Sequence, residues 1–179
     1  MENENKFEGF TLSLALVDAL PMIFFGASSV VVGLLFKSPL FVLGAVLSFL
    51  GGASKVMWKL ILALKKQNIA ILNCLFRYLM AGGFLVIILS LILGIGRISL
   101  PAVWAAVTGA PQCVFFLLWL CGMLAMCVLS KTLDGSVAKN NWIEQCVNAF
   151  SQACLLTGLE LTRAGHLSVL AGCFPLMLR

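Results

Sequence analysis

The longest apolar stretch of the chain, Ile69 to Ile95, limits the fold more than any other feature of the sequence. From Leu79 to Ile95 the only polar side chain is that of Ser90. As a helix the stretch would be roughly 40 Å long, enough to cross a hydrocarbon core of about 30 Å with some tilt. A segment in lipid must pair its backbone polar groups internally. The sequence therefore predicts a membrane-spanning helix here, with the other segments as its neighbours in a bilayer.

The composition of the whole chain supports this interpretation. Hydrophobic residues make up 61% of the 179 residues and charged residues 11%, whereas soluble domains are about 45–50% apolar and about 25% charged. A chain this short and this apolar is expected to form one transmembrane domain, residues 1–179, with the lipid bilayer as its main partner. The net charge of +5 is scattered along the chain, so we expect no nucleic-acid partner.

The distribution of apolar runs predicts an all-α polytopic membrane bundle of five or six spans. The segment Ile98 to Gln112 contains two prolines and a glycine, which predicts a short interfacial or re-entrant helix. The C-terminal segment Ala164 to Leu178 is apolar but short for a crossing, so a sixth span, a re-entrant piece and an interfacial tail are all open. The five predicted spans are Phe10 to Phe36, Leu40 to Leu64, Ile69 to Ile95, Cys113 to Ser130 and Trp142 to Leu161.

The distribution of basic residues predicts the orientation. With the N-terminus in the cytoplasm, six lysines lie in cytoplasmic segments, and Lys37, Arg97 and Arg163 lie on the opposite side. Cytoplasmic loops of membrane proteins are enriched in Lys and Arg, so we expect a cytoplasmic N-terminus in a cell (plasma or inner) membrane. The six cytoplasmic lysines are Lys6, Lys59, Lys65, Lys66, Lys131 and Lys139.

The second predicted span carries a helix-packing pattern. Gly44, Ser48 and Gly52 recur every four residues, a spacing of small residues that lets another helix approach closely. On a helical projection, Lys55 falls within the same arc of about 80°. We therefore expect Lys55 to point into the bundle or a wet cavity rather than into lipid.

Three charged residues are predicted at a similar depth. Asp18, Lys55 and Arg77 each lie eight to ten residues from the cytoplasmic end of a predicted span, or roughly 12–15 Å along a helix. An acid and two bases at one level could form a buried ionic cluster. Alternatively all three lie at headgroup level, where Asp18 caps the first helix and the basic side chains extend to the interface. Both interpretations are open on the sequence.

A polar stripe on the fifth predicted span gives a second candidate site. Its five residues share about 100° of arc on a helix. One interpretation is interhelical hydrogen bonding, and the sharper one is a solute site lined by Asn148 and Gln152. Asn141 and Glu144 also resemble a capping box at the start of the helix. The stripe consists of Asn141, Glu144, Gln145, Asn148 and Gln152.

Sequence motifs for catalysis and metal binding are missing. The chain has no H-E-x-x-H, G-x-S-x-G or P-loop motif, and His166 is its single histidine. None of the seven cysteines forms C-x-x-C, so we expect them to pack as small hydrophobic residues. The sequence therefore predicts no catalytic residue, no metal site and no cofactor, and an intramembrane enzyme is the least favoured function.

The leading functional hypothesis is a small transporter or permease-like protein with a polar cavity in its cytoplasmic half and a small solute as ligand. Asp18 is the candidate proton or cation site. The alternative is a non-catalytic membrane subunit or scaffold that docks a protein partner, or a second copy of itself, at its cytoplasmic face. The predicted lining or ion-pathway residues are Asp18, Lys55, Arg77, Asn148 and Gln152.

Overall fold

The computed structural model describes residues 9–94, 100–135 and 137–173, and over these residues the chain is helical, with no strand. Each of the five predicted spans corresponds to a helix. The predicted break between residues 98 and 112 contains a nine-residue helix. The six helices are α1 (Leu12–Phe36), α2 (Pro39–Lys65), α3 (Ala70–Gly94), α4 (Leu100–Thr108), α5 (Gln112–Thr132) and α6 (Ala138–Cys173).

Side-chain caps set the start of the first two helices. The Oγ1 atom of Thr11 accepts a hydrogen bond from the backbone N–H of Leu14 at 3.3 Å, which makes Thr11 the N-cap of α1. Ser38 caps α2 in the same way, and Pro39 occupies the first turn of that helix, where the absence of an N–H has no cost. The alternative prediction that Asp18 caps the first helix is therefore wrong, because Asp18 lies well inside α1.

The last helix is longer than predicted at both ends. It begins at Ala138 rather than Trp142 and runs for 36 residues without a break to Cys173. Asn141 is consequently inside the helix, so the predicted capping box of Asn141 and Glu144 is wrong. Residues 164–173, predicted as a separate segment, continue α6, and the rest of that segment lies outside the described residues.

The helices form an array in the order α3, α2, α1, α6, α5. In this array α2 packs on both α3 and α1, α1 packs on α6, and α6 packs on α5, while α4 packs only on α5. The helices α3 and α5 stand at the two ends of the array without an extensive contact between them. We call the end of the bundle at which α1, α3 and α6 begin and α2 and α5 end the basic end, since Lys65, Lys66, Lys131 and Lys139 lie there.

Small residues bring α2 and α3 into backbone contact. A Cβ atom added to Gly44 would lie 2.7 Å from the carbonyl oxygen of Gly83 and 2.8 Å from the backbone nitrogen of Ile87, both in α3. Ser48 is buried against Gly83 in the next turn. Gly52 faces the other neighbour, because a Cβ atom there would lie 3.1 Å from Cγ of Met22 in α1. The small-residue face thus divides its contacts between α3 and α1.

Four of the described helices, α1, α2, α3 and α5, are long and apolar enough to cross a membrane. The helix α6 differs because it carries a polar stripe. Much of that stripe is buried inside the bundle, where Asn141, Gln145 and Gln152 all have little exposed surface, as does the nearby Ser151. The fold is thus a helical bundle with several membrane-length apolar helices, one face of α6 supplying polar side chains to its interior.

An apolar cluster closes the basic end of the bundle. Phe10, Leu14, Trp58 and Leu62 form its buried core, and the rings of Phe10 and Trp58 meet edge to face at a centroid distance of 6.4 Å. The Nε1 atom of Trp58 donates a hydrogen bond to Oδ1 of Asn68 at 2.9 Å. This cluster lies one helical turn or less from the polar residues described next.

Candidate functional site

A buried ion pair joins α1 to α2. The Nζ atom of Lys59 lies 3.1 Å from Oδ1 of Asp18, and the two side chains are 1% and 2% exposed. Lys59 also donates a hydrogen bond to Oδ1 of Asn141 in α6 at 2.6 Å. The Nδ2 atom of Asn141 in turn donates to the carbonyl oxygen of Gly135 at 3.0 Å, in the loop before α6. Three helices are therefore joined by charge-assisted contacts of Lys59, and a neutral hydrogen bond from Asn141 connects them to the loop.

Lys55 is the second base of this cluster and is held differently. Its Nζ atom lies 3.7 Å from Oδ1 of Asp18, and its side chain is 26% exposed. The same ammonium group lies 5.1 Å from the ring centroid of Phe76 in α3, a distance at which the face of an aromatic ring attracts a cation. Lys55, which belongs to α2, thus contacts both α1 and α3, and part of its side chain stays accessible.

Within the described part of the chain, only one of the two carboxylate oxygens of Asp18 lies close to a basic group. Both lysines approach Oδ1, while Oδ2 is buried and has no hydrogen-bond partner among the described residues. A buried carboxylate oxygen left without a donor costs free energy.

A cavity of about 280 Å³ adjoins the ionic cluster. Its polar lining comes from α1, α2 and α6, and its apolar lining consists of methionine, phenylalanine and proline side chains. Helices α3 and α5 also contribute residues to the lining, although they make no extensive contact with each other. The lining residues are Asp18, Pro21, Met22, Phe25, Ser48, Gly52, Lys55, Phe76, Met80, Phe84, Met123, Met126, Asn148 and Gln152.

The structure brings four of the five residues predicted from the sequence to this one cavity. Asp18, Lys55, Asn148 and Gln152 all line it, although they come from three different helices. Arg77 does not line it. The side chain of Arg77 is exposed and forms no ion pair within the described part of the chain, because its neighbour Phe76 takes the position that faces the cluster.

The sequence interpretation missed Lys59 and Asn141. Lys59 was expected near the membrane surface, yet it is the closest base to Asp18. The signal for Lys59 was its spacing of four residues from Lys55, which places both on one helical face. Asn141 was expected at a helix cap, and the earlier start of α6 instead turns it inward.

Further polar groups in the interior lack partners among the described residues. Both amide atoms of Gln145, the hydroxyl of Ser48 and Oε1 of Gln152 are buried without a hydrogen bond. The Nε2 atom of Gln152 contacts the sulfur of Met123 at 3.6 Å, which is a weak acceptor. Within the described ranges, no three His, Cys, Asp or Glu side chains come close enough together to hold a metal ion.

The fold and the apolar helices are consistent with a helical membrane protein that contains a polar cluster. Comparison of the chain with protein-family models, with curated protein sequences and with solved structures finds no match. Function is therefore inferred from the residues of the cluster and the cavity.

Proposed function

We propose that the protein is a small transporter or permease-like membrane protein that takes a solute into the cavity beside the ionic cluster. The observation that carries this proposal is the convergence of Asp18, Lys55, Asn148 and Gln152 on one cavity. Polar and ionisable side chains inside membrane bundles are costly and commonly mark solute or ion pathways. The unpartnered Oδ2 atom of Asp18 keeps it a candidate proton or cation site.

The depth of the cluster supports a cavity in the half of the bundle next to the basic end. Asp18 follows the first residue of α1 by about 9 Å, and Lys55 precedes the last residue of α2 by about 15 Å along the helix. The lysine distribution favours the cytoplasm for this end. We accordingly propose a cell membrane location, a cytoplasmic N-terminus and a cavity in the cytoplasmic half.

We further propose that α6 is a fifth span. It lies beside α1 and α5, which are both apolar enough to cross a membrane. Asn141, Gln145 and Gln152 of its polar stripe are buried in the bundle, so they need not meet lipid. The short helix α4 would then lie at or in the opposite interface, between the end of α3 and the start of α5.

Access of water to the cavity tests the transporter proposal. In a cysteine-free background reconstituted into vesicles, Asn148→Cys should react with a charged, membrane-impermeant thiol reagent applied to either side, since transporters expose their site alternately. The matched control is Phe150→Cys, because Phe150 is 57% exposed on the outer face of the same helix and should stay unlabelled in lipid. Labelling of Asn148→Cys from one side only, or from neither, would contradict transport.

The basic end of the bundle favours a second candidate function, a non-catalytic membrane subunit or scaffold. Leu64, Ile71 and Tyr78 are all strongly exposed close to Lys65 and Lys66. Apolar surface beside a basic rim is typical of an interaction site. If this candidate is correct, Ile71→Glu should dissociate a complex seen by native mass spectrometry after mild solubilisation, and it should leave labelling of Asn148→Cys unchanged.

A further inference from the structure

The charge of the cluster is unevenly distributed. One carboxylate, that of Asp18, faces two ammonium groups and lies closer to Lys59, at 3.1 Å, than to Lys55, at 3.7 Å. Lys59 is closed off from the cavity, whereas Lys55 is partly exposed and lines it. The acid Glu144 acts on Lys59 and is not part of the cavity lining. Asp18 also lines the cavity, but its side chain is 2% exposed against 26% for Lys55, so the more accessible charge for a ligand is the positive charge of Lys55.

Hydrogen-bond donors line the same cavity. Ser48 and Asn148 both belong to its lining, and the hydroxyl of Ser48 is buried without a hydrogen-bond partner among the described residues. Hydroxyl, amide and ammonium groups can all donate to an anionic oxygen. The carboxylate of Asp18, which would repel an anion, is 2% exposed. This set of groups favours a carboxylate or phosphate over a cation.

The remaining walls are suited to an apolar tail. They include Met22 and Phe25 of α1, Met80 and Phe84 of α3 and two methionines of α5, and the rings of Phe25 and Phe84 meet edge to face at a centroid distance of 5.9 Å. Methionine side chains adapt to irregular apolar ligands. The helices α3 and α5 both contribute to the lining but have no extensive contact with each other, so this is where a tail would leave the cavity. Its volume of about 280 Å³ lies just below the usual range for ligand pockets, so it fits a head group and the first carbons of a chain.

We infer that the cavity binds an amphipathic anion, with a carboxylate or phosphate head at Lys55 and an apolar tail that leaves between α3 and α5. This inference rests on the proposed function because it names the class of solute for the same cavity. The head group could belong to a free fatty acid or alkyl phosphate, or to an anionic membrane lipid, since these share the same chemistry.

Binding to the purified protein in a non-ionic maltoside detergent tests this inference without any need for transport. The probes are dodecanoate, dodecyl phosphate, dodecyltrimethylammonium, dodecanol and inorganic phosphate, measured by thermal shift. We expect the two amphipathic anions to bind at least tenfold more tightly than the cation, the alcohol or the free phosphate. Native mass spectrometry with phosphatidate and phosphatidylcholine then separates the two sources, since tighter binding of phosphatidate than of dodecyl phosphate identifies a lipid.

Two variants locate the site. Lys55→Met leaves the pair of Asp18 and Lys59 intact and should weaken binding of dodecanoate at least tenfold, whereas the matched control Lys65→Met removes an exposed lysine of the same helix and should change nothing. Met126→Trp fills the cavity without altering its charge and should also abolish binding, which covers the case in which Lys55→Met fails to fold.

Equal binding of dodecanoate and dodecanol, tighter binding of the ammonium probe, or binding that neither Lys55→Met nor Met126→Trp reduces would overturn the inference. Equal binding of inorganic phosphate and dodecyl phosphate would overturn the role of the tail. These outcomes are separate from failure of the transporter proposal, which shows as one-sided or absent labelling of Asn148→Cys while anion binding persists.

Discussion

The buried charges of Asp18 and Lys59 depend on each other more than on any other contact of the cluster. Each side chain is almost fully removed from solvent, and their nearest charged atoms are 3.1 Å apart. Removal of one partner of such a pair leaves an uncompensated buried charge, whereas removal of both often costs little. The stability of the bundle should therefore respond very differently to single and double substitutions here.

We expect Asp18→Asn and Lys59→Met each to destabilise the protein by about 3–5 kcal/mol, and the double variant to recover a large part of that loss. The measurement is a double-mutant cycle on the free energy of unfolding in detergent. Asp18→Asn combined with Arg77→Met is the control, because Arg77 lies away from the cluster and its effect should be additive. A nearly unchanged stability of Asp18→Asn would contradict the buried cluster.

Substitution of Gln145, unlike that of Asp18 or Lys59, should raise the stability of the protein. The side chain is 1% exposed, and neither of its amide atoms has a partner among the described residues. An unsatisfied buried polar group costs about 1–3 kcal/mol, so Gln145→Met, of similar volume, should raise Tm. Asn141→Leu on the same helix should lower Tm because it removes the hydrogen bonds to Lys59 and Gly135. A lower Tm for Gln145→Met would show that the amide is satisfied.

Among the helix pairs, α2 and α3 have the closest backbone approach. Added Cβ atoms at Gly44 and Gly83 would meet main-chain atoms at distances no real side chain tolerates, and main chain cannot move aside as a flexible side chain can. At Gly52 the nearest atom belongs to the flexible side chain of Met22. The regular spacing of Gly44, Ser48 and Gly52 therefore does not by itself show which of these residues is critical for helix packing. That depends on whether the residue meets main chain or a flexible side chain of the neighbouring helix.

Two adjacent glycines of α3 allow a matched test of this helix contact. Gly83→Ala should destabilise the protein by about 1–3 kcal/mol through overpacking against α2. Gly82→Ala should be neutral or stabilising by up to about 1 kcal/mol, because nothing lies within 4 Å of the position of its Cβ atom. Both variants gain the same helix propensity, so thermal unfolding in detergent compares the packing alone. Equal Tm values for the two variants would show that α2 and α3 do not pack in this way.

At the scale of the whole molecule, the sequence predicted the helices better than their relations to each other. Long apolar runs dictate helices in lipid, so α1, α2, α3 and α5 were found within a few residues of their true ends. The convergence of Asp18 with Lys55 could be estimated from equal depth along the helices. The rotation of a helix about its axis could not, since it depends on which neighbours pack against it. Arg77 was misplaced for that reason, whereas Asn141 was misplaced because α6 begins earlier than predicted, and Lys59 because its position near the end of α2 indicated the membrane surface.

The last prediction concerns the number of membrane spans. If α6 crosses the membrane as proposed, its two ends lie on opposite sides, and Lys139 and Arg163 must differ in access. In a cysteine-free background, Arg163→Cys should react with an impermeant thiol reagent added to intact cells, whereas Lys139→Cys should react only after permeabilisation. Both side chains are exposed, so neither result depends on burial in the protein. Pro39→Cys, at the first residue of α2, should be labelled from outside and confirms the orientation. Protection of Arg163→Cys in intact cells, with Pro39→Cys labelled, would show that α6 does not cross and that the bundle has four spans.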